Sequence, residues 1–91
     1  MVIKWQVSAE VLSSKIDEEV ILMSIESGFY FTLDSVGSRI WELLSKQPAN
    51  LEELASQLKE EYEVDKETCI KDVQSFIEDM TSKKLIIQIE E

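Results

Sequence analysis

The chain has 91 residues, 44% of them hydrophobic and 31% charged, with two glycines, one proline and no histidine. That composition suits one globular domain with a single modest core, and it excludes disordered, collagen-like and disulfide-scaffold classes. Nineteen acidic residues against nine basic ones leave a formal net charge of −10, which repels nucleic-acid phosphates and anionic membranes and favours basic partners.

The opening "MVIKWQVSAE" has no basic segment followed by an apolar run, so no signal peptide is expected. No stretch approaches the roughly 18 apolar residues of a membrane helix. Cys69 stands alone and has no internal disulfide partner, which fits a reducing, cytoplasmic setting.

The first third of the chain reads as β-structure. Residues 2–7 alternate, with Ile3, Trp5 and Val7 on one side. Residues 19–25 form an apolar run with Val20, Leu22 and Ser24 set against Ile21, Met23 and Ile25. Between them, the sheet is expected to continue around Val11 and Leu12 and to turn at 15–18. "FYFTL" (29–33) follows the connection "ESG", where Gly28 can supply a positive φ, so 19–33 reads as a hairpin.

The rest reads as helices. Asp34 is a natural N-cap for a helix carrying Val36, Ile40, Trp41, Leu43 and Leu44, and Pro48 ends it. Asn50 with Glu53 forms a capping box for a second helix, with Leu51, Leu54, Ala55, Leu58 and Tyr62 on one stripe. Asp65 caps a third, whose apolar face is Ile70, Val73, Phe76, Ile77 and Met80. Residues 83–90 alternate as a short final strand. The expected fold is therefore one α+β, winged helix-turn-helix-like domain over 1–91, with about three antiparallel strands, then three helices and a C-terminal strand.

Several chemistries are excluded. Without histidine and with a single cysteine, the usual zinc sites, catalytic triads and Cys-His nucleophiles cannot be assembled in one chain. Gly28 and Gly37 are isolated, so there is no phosphate-binding loop. Glu52/Glu53 and Glu60/Glu61 read as solvated helix faces, and Cys69 as a small core filler. No enzyme, metal or cofactor is expected. The fold class admits a DNA-binding regulator, but helices two and three are rich in Glu and Asp where a recognition helix presents Arg, Lys, Asn or Gln.

One strand has a surplus. "FYFTL" holds aromatics at adjacent positions and has no Lys or Pro to blunt an edge. As an outer strand it could take an extended peptide by backbone pairing, with either Phe29/Phe31/Leu33 or Tyr30/Thr32 turned to the helices. Val73, Phe76, Ile77 and Met80 on the third helix could wall a groove beside it. The plainer reading makes all of these core. A third reading uses the same edge for self-pairing, giving a weak homodimer in place of a monomer.

Gly28-x-Tyr30-Phe31-x-Leu33-Asp34-x-x-Gly37-x-x-Ile40-Trp41 resembles the signature of PqqD-like proteins, and residues 51–86 are similar to the remainder of that family. Two departures are Asp34 where Asn is frequent and Lys84 where many members carry Gly. The resemblance implies a precursor-peptide recognition element that binds the leader of a ribosomally made, modified peptide by strand addition. The guest would lie along Phe29, Tyr30, Phe31, Thr32 and Leu33 and pack on Val73, Phe76, Ile77 and Met80. It also implies hand-over to a separate enzyme. That enzyme is a transglutaminase-like cysteine protease in split lasso-peptide systems, or a radical modifying enzyme in quinone-cofactor pathways.

Overall fold

The run at 19–25 alternates because it is the central strand of a sheet that buries one face only. In the computed structural model, which describes residues 2–90, this strand is β3 (Glu19–Ser24), flanked by β2 (Val11–Ile16) and β4 (Tyr30–Thr32) in an antiparallel sheet of order β2-β3-β4. A second, two-stranded ribbon pairs β1 (Ile3–Val7) with β5 (Ile86–Glu90), Val7 opposite Ile86. Three helices lie between the sheets in sequence: α1 (Ser35–Lys46), α2 (Leu51–Glu61) and α3 (Lys66–Ser82).

This is the expected α+β order, with one more strand than the sequence suggested. The segment around Val11 and Leu12 is a full strand, paired from Val11 opposite Ser24 to Ile16 opposite Glu19. Its weak apolar signal has a cause: Ser13 and Lys15 hold the positions turned to the helices, opposite Leu22 and Val20, where an alternating strand would carry apolar residues. The hairpin closes on Asp17, whose positive φ of 58° a short polar side chain tolerates. β4 is shorter than the expected 29–33. Phe29 and Leu33 join it only by single bonds, from Ser24 N–H to Phe29 C=O (3.0 Å) and from Leu33 N–H to Val20 C=O (2.9 Å).

All three N-caps act as the sequence predicts. Asp34, Asn50 and Asp65 accept from the backbone N–H of Gly37, Glu53 and Thr68, and Glu53 closes the capping box on Asn50. The inner face of β3, through Val20 and Leu22, packs on Leu33, Ile40, Trp41 and Leu44. Leu54, Ala55 and Leu58 of α2 and Val73, Ile77 and Met80 of α3 complete the core. Cys69 is buried among them, where burial pushes its thiol pKa up, as suits a small side chain that fills the core.

Candidate functional site

Ladder geometry decides what β4 offers. In an antiparallel pair, alternate residues spend their backbone groups on the neighbour, and the others point away. Phe29 and Leu33 bond to β3, and Phe31 lies opposite Leu22 in the same phase. The N–H and C=O groups of Tyr30 and Thr32 therefore point to the free side. No strand pairs there among the described residues, because β5 is taken by β1 in the other ribbon.

The side chains divide in the same rhythm. Phe31 is half-buried and Leu33 is buried, both on the helical side, whereas Tyr30 is 70% exposed on the opposite face. Phe29 is 67% exposed just ahead of the strand, where Gly28 turns the chain with φ 76°. Two large aromatics thus stand in solvent beside unpaired backbone groups.

Helix α3 forms the far wall. Lys83 Nζ lies 5.4 Å from the centre of the Phe31 ring, a cation–π distance, and bonds Asp79 at 2.9 Å. At the other end, Phe76 packs against the start of α1. A Cβ on Gly37 would meet the Phe76 ring at 3.0 Å and Asp34 Oδ1 at 3.1 Å, which explains why this helical position holds glycine. Asp34, Val36, Gly37, Ile40, Asp72, Ser75 and Phe76 line a cavity of about 310 Å³ there, next to the end of β4.

Of the α3 residues expected to face a guest, Phe76 alone lies at this surface, half-buried. Val73, Ile77 and Met80 point into the core, with at most 4% of their surface exposed. Asp72, Asp79 and Lys83, which the sequence did not single out, share this side of α3 with Phe76. Their spacing with Phe76, at 72, 76, 79 and 83, is a helical stripe next to the buried one, visible once the buried one is assigned.

A buried hydroxyl ties the strand to its helix. Val20 N–H donates to Ser38 Oγ (2.8 Å), and Ser38 Oγ donates to the Leu33 carbonyl (3.2 Å). β3, the end of β4 and α1 are thus locked at one point, which fixes where the free edge lies relative to α3.

Known proteins share this arrangement. The family model described as "Coenzyme PQQ synthesis protein D (PqqD)" matches residues 19–86. The solved structure of TbiB1 in complex with the TbiA(beta) leader peptide superposes with a TM-score of 0.84 at 40% identity, covering 89% of this chain and 93% of that one. A lasso peptide synthetase B1 complexed with the leader peptide has the same fold, with a TM-score of 0.81 at 19% identity and coverage of 91% and 96%. No curated protein matches the sequence. With its signature strand, caps and helices all inside the matched span, the chain belongs to the PqqD family.

Proposed function

We propose that this chain is a non-catalytic adaptor that binds the leader segment of a ribosomally made precursor peptide as an added antiparallel strand on β4. It then presents the peptide to a separate leader protease in lasso-peptide biosynthesis. The observation that carries this reading is the outward-pointing backbone of Tyr30 and Thr32, left uncovered by β5, which pairs with β1 instead. The TbiB1–leader complex, at 40% identity, supports it.

Magnitudes assign the parts their roles. Roughly four ladder hydrogen bonds at about 1 kcal/mol net each only offset an association cost of at least about 4 kcal/mol. Apolar anchors at about 1.5–3 kcal/mol each must supply the affinity. Phe29, Tyr30, Phe31 and Phe76 offer the area for them. Val73, Ile77 and Met80 act from beneath by holding Phe76 and α3 in place. Pairing sets direction and register; the aromatics set strength.

The test is titration calorimetry of the chain with a synthetic leader peptide. Phe76→Asp should abolish the binding heat while the thermal melt remains cooperative. Unchanged affinity in that variant would remove α3 from the site. The PqqD match keeps a radical modifying enzyme as the alternative recipient, within the same cytoplasmic setting. Mixing chain and precursor with each enzyme, and measuring which one turns over faster, separates the two.

A further inference from the structure

The face of the β2-β3-β4 sheet turned away from the helices is open to solvent yet apolar along its middle. Register places Leu12, Met23 and Tyr30 in one row across the three strands, and Ser14, Ile21 and Thr32 in the next. Leu12 is 54% and Ile16 56% exposed. A shallow cavity of about 210 Å³ opens between Leu12, Ile21, Met23 and Tyr30. A sheet face that only met water would carry polar residues at these outward positions; this one sets Leu12, Ile16, Ile21, Met23 and Tyr30 around Ser14 and Thr32.

Charge surrounds that apolar centre on two ends. Glu10 and Glu26 sit at one end of the strands, and Asp17, Glu18 and Glu19 at the other, all exposed. Between Ser8 and Asp34 the sequence holds one basic residue, Lys15, which points to the helical side and pairs with Glu42 at 3.1 Å. A second copy of this chain would bring like charge against like, so the face is built for a different protein.

We infer that this outer face docks the enzyme that receives the peptide, through a patch on that enzyme with an apolar centre and basic rims. The inference rests on strand addition at β4. A strand added there lies in the same sheet, and every second residue of it projects onto this face next to Tyr30 and Thr32. The enzyme would therefore read a composite surface, half adaptor and half guest, and should bind the loaded adaptor more tightly than the empty one.

The experiment uses the purified leader protease acting on the same precursor, with Leu12→Lys and Ile16→Lys variants of this chain. Both residues sit on β2, at the sheet edge away from the peptide. Leader affinity by calorimetry should stay within about twofold of wild type, while adaptor-stimulated cleavage and adaptor–protease affinity fall by about tenfold, the loss typical of one buried apolar anchor. Glu18→Lys should weaken the same association and flatten its salt dependence. Cleavage unchanged in both Lys variants with the leader still bound would overturn the inference alone. Loss of leader affinity in them would also overturn it, by making the face part of the peptide site. Wild-type self-association that the Lys variants abolish would assign the face to a second copy. Failure of wild type to bind any leader would sink the proposed function itself.

Discussion

The two edges of the three-stranded sheet face the same hazard and answer it differently. β2 is the longer, with six residues against three in β4. Its free backbone belongs to Val11, Ser13 and Lys15, since Ile25 N–H bonds Glu10 C=O and so sets the opposite phase toward β3. Lys15 is a charge pointing inward on an edge strand, a known device against strand addition. It is held by Glu42, which also meets Arg39 at 3.7 Å, and Arg39 bonds Glu61 of α2. β4 has no such guard. It has no charge, no proline, and an aromatic-walled groove alongside. A sheet edge left open next to a guarded one is open for a use.

Proline at matched positions on the two edges should produce the largest contrast. Thr32→Pro removes an N–H that no strand uses and places a ring in the docking lane, so leader binding should be lost, with the fold retained because the β3–β4 ladder keeps its bonds. Ser13→Pro does the same on β2 and should leave leader affinity within about twofold, since it lies outside the lane. Equal losses of affinity, measured by calorimetry, would remove the distinction between the edges.

Ser38→Ala should come next in size. It deprives the buried Val20 N–H of its acceptor, a loss of about 1–3 kcal/mol. In a domain of this size each kcal/mol lowers the midpoint by about 4–8 °C in a calorimetric scan. Because the same hydroxyl fastens the end of β4, leader affinity should weaken alongside stability. A variant that melts earlier but binds unchanged would show that the edge is positioned by something else.

How much of this was legible in the sequence follows from what each signal measures. Caps are local, and Asp34, Asn50 and Asp65 needed only their neighbours to be read. The periodicity of α3 located its apolar face but not what covered it. Val73, Ile77 and Met80 look like a docking stripe until α2 and the sheet are in place, when they prove to be core. β2 was faint because an edge strand with serines and an inward lysine lacks clean alternation. The separation of β1 and β5 into their own ribbon depends on contacts some 80 residues apart, which no local pattern carries.

Lys84 shows a departure from the family pattern that the structure explains as a cost. Leu85 N–H bonds the Met80 carbonyl and Lys84 N–H that of Thr81, so α3 ends in a Schellman turn with Lys84 at φ 62°. Glycine adopts that conformation without strain. Lys84→Gly should therefore raise stability by about 1 kcal/mol, less the entropy glycine adds to the unfolded chain. Lys83, next in sequence but turned to Phe31, is left in place, so the groove should bind as before.

The smallest expected effect concerns the ion network behind the guarded edge. Arg39 donates to both Glu61 oxygens, at 2.7 and 2.8 Å, and this bond, with a second from Gln57, holds the Glu61 carboxyl down from 4.5 to about 2. A carboxylate favoured by the folded state adds stability above its unfolded pKa and loses it as the pH falls through its folded one. The contribution is thus complete above about pH 5.5 and gone near pH 1. Solvent around the pair limits it to about 0.5–1 kcal/mol. Denaturant titrations of wild type and Glu61→Gln should differ by that amount at pH 7 and converge under acid, with leader affinity at pH 7 the same in both. A difference that persisted at pH 2 would mean that Glu61 acts by packing, and that the network reaching Lys15 is not what steadies the closed edge.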